Sequence, residues 1–200
     1  MVARMNNGIC DNGAMEPVNF TGHFLIAMPS LQDANFAGTL TYICRHDDQG
    51  AMGLVVNRPM DMTLQTLFGQ IALTPVQDDI LTYPVYLGGP VQTDRGFVLH
   101  SPVGEWRSTL RINDHLGLTT SRDILEKLSL GQGPERIFIA LGYAGWEAGQ
   151  LENEIKLNNW LSVPAEPDIL FELPAGQRFQ AALDLLGIDP TYLSEEAGHA

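Results

Sequence analysis

The sequence predicts an α+β fold: a single compact domain with a mixed, largely antiparallel sheet and about four flanking helices. Three observations predict it. Short runs rich in β-branched and aromatic residues are punctuated by Gly, Pro and Asp turns along most of the chain. Several segments repeat apolar residues at helical spacing, and the early strands close into a hairpin instead of alternating with helices in a strict βαβ rhythm. At 200 residues and 44% hydrophobic content, the chain is long enough for one well-buried core.

Taken in order, residues 1–19, with Asn6-Asn7-Gly8 and Asp11-Asn12-Gly13, hold little to bury and are read as a flexible leader. The domain is expected to span 20–193, followed by a frayed acidic tail at 194–200. Gly22 to Met28 is a short apolar run stopped by Pro29. Residues 38–57 read as a hairpin, with the turn residues His46-Asp47-Asp48-Gln49-Gly50 between two strand-like segments. Leu64, Leu67, Phe68 and Ile71 lay one apolar stripe along a helix that begins near Asp61 or Thr63.

Strands are expected at 83–87 and 95–101, separated by Gly88-Gly89-Pro90, and again near 106–112 and 115–119. Thr120-x-x-Asp123 has the spacing of a capping box and predicts a second helix over 121–130, ended by Gly131. Arg136 to Leu141 is a nearly continuous apolar run, the pattern of a central strand covered on both faces. A loop over 142–149 then leads to a third helix, with Leu151 and Ile155 inward and a Glu152–Lys156 pair outward. Residues 160–163 and 168–172 are read as strands. Phe179, Ala182, Leu183 and Leu186 mark the last helix, ended by Gly187.

Charge narrows the function classes. The formal net charge is −13, distributed as −6 over residues 1–94, +2 over 95–122 and −9 over 123–200. Such a field repels phosphate backbones and anionic membranes, so direct nucleic-acid binding is not expected. Arg107 and Arg111 alternate with Leu110 and Ile112, as on the solvated face of a strand. No apolar run reaches the roughly 18 residues that span a bilayer, and a cytoplasmic location is expected. Cys10 and Cys44 are the only cysteines, too few for a disulfide framework or a zinc site, and Cys44 reads as a small buried hydrophobe.

The residue spacings that announce common chemistries are missing: no Gly-x-Ser-x-Gly elbow, phosphate-binding loop, His-Glu-x-x-His or Cys-x-x-Cys occurs. No metal or cofactor is expected. His46-Asp47-Asp48 reads as a solvated turn, and His23 and His100 as histidines with satisfied hydrogen bonds. Arg58, within Asn57-Arg58-Pro59, can clamp a carboxylate or phosphate, with a neighbouring Asp as the preferred partner. Gly88, Gly89 and the Gly142–Gly145 stretch let a backbone approach something closely, while Trp146 and Gln150 can line a pocket wall.

Five segments, Ala27–Asp33, Gly50–Pro59, Tyr86–Pro90, Gly96–Ser101 and Leu141–Trp146, stand in this order, followed by Gln150-Leu151-Glu152 and Asn159-Trp160. Over residues 20–190 they closely resemble the AlgH/YqgE family of bacterial proteins. The resemblance implies a cytosolic domain with a partly barrel-like sheet, and no established catalytic activity, cofactor or metal. It supplies no catalytic residue to carry over. The family's name comes from a proposed transcriptional regulator of alginate synthesis, and with this acidic balance such regulation is expected to run through a protein partner. The preferred expectation is therefore a non-enzymatic regulatory or interaction protein that recognises an unknown partner around Asn57-Arg58-Pro59, Gly88-Gly89-Pro90 and Tyr143 to Trp146. An alternative is a small-molecule binder or enzyme in which Arg58 holds an anion and His100 handles a proton, which requires both to face one cavity. Direct DNA contact through Arg95, Arg107, Arg111 and Arg122 ranks third. No feature sets an oligomeric state.

Overall fold

The computed structural model describes residues 18–76 and 78–188; the predicted tail, and all of the predicted leader except residues 18 and 19, lie outside them. Ten strands form one curled, mostly antiparallel sheet that closes partway into a half-barrel. The chain opens with a meander of β1 (His23–Ala27), β2 (Leu40–Asp47) and β3 (Gly50–Val55). The predicted 38–57 hairpin is the β2–β3 pair, with Tyr42 opposite Leu54. β4 (Pro59–Thr63) leads into α1 (Leu64–Gln70), which Thr63 caps by accepting from the Thr66 amide. β5 (Pro84–Leu87), β6 (Val91–Ser101), β7 (Thr109–Arg111) and β8 (Gly117–Thr119) follow, then α2 (Asp123–Ser129) and β9 (Arg136–Glu147). The chain ends in α3 (Gln150–Lys156), β10 (Trp160–Pro164), α4 (Pro167–Phe171) and α5 (Ala175–Leu185).

The strand order β10-β1-β2-β3-β9-β6-β8-β7 makes β9 the spine of the sheet. Its first half pairs with β6, and its second half with β3. β5 joins β9 in parallel at Tyr86 and Leu87. Alternation along β9 sorts three clusters. Phe138 and Ala140 face the concave core with Phe24, Tyr42 and Leu99, where Leu170 of α4 and Leu183 of α5 plug one part of the half-barrel. Ile137, Ile139 and Leu141 face the convex side under α1 and α2, so this strand is indeed covered on both faces. Beyond Gly142, Ala144 and Trp146 enter a third cluster with Trp160 and Leu151 of α3.

Four local expectations are corrected. The 142–149 segment is not a loop: β9 runs through it to Glu147, because Gly142 adopts φ +74 and absorbs a bulge without ending the pairing. Residues 168–172 are not a strand but fall mostly in α4, where Pro167 occupies the first turn and the adjacent Ile169 and Leu170 are both buried. Thr120 does not cap α2. Its hydroxyl bonds to Arg95 and Ser108, while Asp123 accepts from Ser121, Ile124 and the Arg107 amide. Glu152 does not turn outward to Lys156; it pairs with His46 at 3.1 Å.

Candidate functional site at the open end of the half-barrel

The glycines approach one another. A Cβ on Gly88 would run into the Gly142 carbonyl, one on Gly89 into the Tyr143 backbone, and one on Gly142 into the Gly89 carbonyl. This seam also carries hydrogen bonds from the Val55 amide to the Gly88 carbonyl and from the Gly88 amide to the Leu141 carbonyl, both 2.8 Å. Gly88 and Gly89 thus stitch β3, β5 and β9 together.

Asn57 and Arg58 hold the 33–40 segment in place. The Asn57 side chain accepts from the Leu40 amide at 2.9 Å and donates to the Gly38 carbonyl at 3.0 Å. Arg58 donates to the carbonyls of Asn35 at 2.7 Å and Ala37 at 2.9 Å, with Ala34 at 3.3 Å. Its partner is therefore not an aspartate, as the sequence suggested, but a ring of backbone oxygens. Pro59 sits exposed on β4 opposite Tyr86.

His100 is sealed from solvent. Nδ1 meets the Pro102 carbonyl and Nε2 meets the Thr119 hydroxyl, each at 2.9 Å, and burial lowers its pKa. It is thereby held as neutral imidazole, with the Nδ1–H tautomer required by the carbonyl. None of the main cavities is lined by either Arg58 or His100. The anion-and-proton arrangement expected as the alternative fails its geometric requirement.

His46 is likewise not part of a solvated turn. It is buried, its Nδ1 accepts from the Phe20 amide at 3.1 Å, and Nε2 faces Glu152. A bulge between Ile43 and Arg45 turns it inward and sends Arg45 to the opposite face. Cys44 is buried, and burial pushes its thiol pKa far up, in keeping with an inert core position.

Tyr143 lines a cleft of about 570 Å³ at the open end of the half-barrel; Trp146 adjoins the same cleft, but its indole is buried in the third cluster and bonds to Glu154. The concave core continues into the cleft: Met52, Phe97, Leu110 and Leu118 make the floor, with Tyr143 5.5 Å from Phe97 between ring centroids. Arg45 from β2 and Arg95 from β6 stand at the rim. Opposite the Leu141–Tyr143 step of β9, β6 makes an excursion between Val91 and Gly96 in which Gln92 adopts φ +50. That excursion positions Arg95, which bonds to Gln92 at 3.3 Å and Thr120 at 3.0 Å and lies over the Phe97 ring. Among the described residues Arg95 has no ion pair, whereas Arg45 is 3.4 Å from Asp47.

Gln150 does not line this cleft. It accepts from the Glu147 amide and donates to Glu154, whose other oxygen accepts from the indole N–H groups of Trp146 at 2.9 Å and Trp160 at 2.8 Å. Glu154 was missed from the sequence, although its four-residue spacing from Gln150 places both on one helix face. The cleft role of Arg45 and Arg95 was missed too, since it requires knowing which strands adjoin. The four basic residues 95, 107, 111 and 122 form no free stripe: Arg111 pairs with Asp114 and Arg122 with Glu126.

Among the described residues, no three His, Cys, Asp or Glu side chains are grouped to hold a metal ion, and no helix is long and apolar enough to cross a membrane. The fold and cleft define an α+β half-barrel domain with a cleft on its concave side. A family model described as AlgH-like matches residues 24–191, and the chain belongs to that family. It is 57% identical over 188 residues to a UPF0301 protein of Nitrosospira multiformis, covering 93% of this chain and all of that one. A UPF0301 protein of Thiobacillus denitrificans is 59% identical over 186 residues, with the same coverage. The solution structure of the AlgH protein from Pseudomonas aeruginosa matches with TM-score 0.76 and 46% identity, over 98% of this chain and 100% of that chain. A Corynebacterium diphtheriae protein shares the fold at TM-score 0.62 and 20% identity, over 86% of this chain and 88% of its own.

Proposed function

We propose that the chain is a non-enzymatic recognition domain of the bacterial cytosol whose cleft receives an acidic segment of a partner protein. The convergence of Arg45 and Arg95 above an apolar floor carries this reading. Lys and Arg number only 11 against 24 Asp and Glu in this sequence, and although Glu147 also lines the cleft and Asp47 pairs with Arg45, Arg95 stands there with no ion pair among the described residues. A carboxylate entering there meets the unpaired Arg95 fork, with Arg45 able to exchange Asp47 for it, and an adjacent apolar side chain covers Met52, Leu110 and Tyr143. A role in gene regulation then passes through the partner, because the net charge of −13 opposes contact with DNA.

Site-specific photocrosslinking in living cells tests this. A photoreactive residue replaces Gln49 or Gln92 at the cleft rim, or Val76, which is exposed on a loop beside the convex-face helices. The expected result is a discrete protein adduct from the rim positions, absent at Val76 and lost when Arg95→Glu is added. Equal adducts from both faces, adducts indifferent to Arg95→Glu, or no rim adduct with the protein at native abundance overturn the reading. The cleft volume also lies within the roughly 300 to 1,000 Å³ of small-molecule pockets, so an anionic metabolite that stabilises the wild type and competes away any rim adduct would replace the partner protein.

A further inference from the structure

Arg178 on α5 is a buried charge without a counter-charge. The side chain is 5% exposed, and among the described residues it forms no ion pair. Nε donates to the Leu173 carbonyl at 2.9 Å and Nη1 to the Val56 carbonyl at 2.6 Å. Nη2 has no carbonyl or carboxylate acceptor among the described residues, and the guanidinium's remaining polar neighbour is the neutral Tyr86 side chain. The guanidinium carbon lies 4.9 Å from the centroid of the Tyr86 ring and 5.4 Å from that of Phe138. Ring faces and two carbonyls offset part of the desolvation of a cation, yet a fully compensated buried ion also has an opposite charge beside it.

The space for that charge is present. Arg178 lines a cavity of about 190 Å³, separate from the cleft of Arg45 and Arg95. It opens where β5 and β9 splay apart: the two strands pair at Tyr86–Ala140 and Leu87–Leu141, while Ile137 to Ile139 have β6 on one side and the cavity on the other. Backbone along that side of β9 has no strand partner, so amide and carbonyl groups of the strand edge are open toward the cavity. Phe171 and Tyr83 complete the walls, and Tyr83 is 46% exposed at the mouth. A buried planar fork facing a cavity of this size with largely apolar walls matches a small oxyanion.

We infer that this cavity binds a small oxyanion, a carboxylate or phosphate group, through Arg178. The site is independent of the partner-binding reading above and fails or stands separately from it. The test titrates the full chain with acetate and with phosphate at constant pH and ionic strength against chloride, following by NMR the Arg178 Nε–H and the amides of Ile137 to Ile139. The expected result is saturable shifts at these groups with a Kd of about 1 mM or tighter for at least one oxyanion. Tighter binding of acetate assigns a carboxylate, and tighter binding of phosphate a phosphate. Arg178→Lys, which keeps the charge and loses the fork, is expected to weaken binding about tenfold or more. If that variant does not fold, Tyr83→Trp, which narrows the mouth and leaves Arg178 in place, serves as the second variant and is expected to weaken binding. Shifts that never saturate, that chloride reproduces, or that the folded Arg178→Lys protein retains at equal affinity overturn the proposal.

Discussion

Removing the Glu154 carboxylate should open a defined defect in the third core cluster. Its Oε2 accepts from the indole N–H of both Trp146 and Trp160, whose side chains are 6% and 2% exposed, and Oε1 accepts from Gln150. Glu154→Ala leaves two donors facing the space of a small side chain. An unsatisfied buried donor costs about 1 to 3 kcal/mol. Glu154 is itself only half-buried, so water can reach part of the gap, and the low half of that range, about 2 to 4 kcal/mol for the pair, is expected. Glu154→Gln keeps one oxygen for both indoles and should cost about 1 kcal/mol or less. Urea unfolding followed by tryptophan fluorescence reads the difference. With a slope of about 2 kcal/mol per molar urea, the Ala variant's midpoint falls by about 1 to 2 M and the Gln variant's by about 0.5 M or less. Equal midpoints for the two variants, or an Ala variant indistinguishable from wild type, would refute the idea that this carboxylate clamps the tryptophans.

Two further outcomes follow from the same packing. Gly142→Ala, with φ +74 and its new Cβ against the Gly89 carbonyl, should destabilise by about 2 to 5 kcal/mol, whereas Gly176→Ala, in open space on α5, should be neutral or stabilising; thermal denaturation distinguishes them. Burial holds His100 below the ordinary value of 6.5, so below that pH the unfolded chain binds more protons than the native one. Stability should be level above about pH 7 and decline as pH falls through 6.5 toward the native pKa, by at most about 1.36 kcal/mol per pH unit from this residue. Urea midpoints between pH 7.5 and 5 should show a shallower decline in a folded His100→Gln variant, and an unchanged slope would remove His100 as a cause.

The fold was legible where local pattern and tertiary role agree. The β2–β3 hairpin, the Thr63-capped α1 and the apolar 136–141 run all announce themselves through spacing. The errors fall where a distant partner decides. Gly142, a residue type that normally ends a strand, instead lets β9 continue, because its missing side chain makes room for Gly89 and not for a turn. Ile169 and Leu170 are adjacent, which suits a buried strand or one turn of helix equally, and packing against α5 and the sheet settles the choice. Of the predicted recognition residues, Tyr143 lines the cleft and Trp146 adjoins it with its indole turned into the third cluster, while Asn57, Arg58 and His100 bind the protein's own backbone or hydroxyl groups. Nothing in the chain order reveals that Arg45 and Arg95, fifty residues apart, share a rim.

The pairing pattern also sets a schedule for synthesis. β1 takes its outer partner from β10, and β3 takes its own from the far half of β9, so the first three strands emerge from the ribosome with both flanks unpaired. About a hundred residues separate Val55 from the end of β10. At roughly 5 to 20 residues per second, that nascent sheet waits on the order of 5 to 20 s for its closing strands. Throughout that interval its apolar edges are open to other chains, which makes the early meander the segment of this protein most in need of a chaperone.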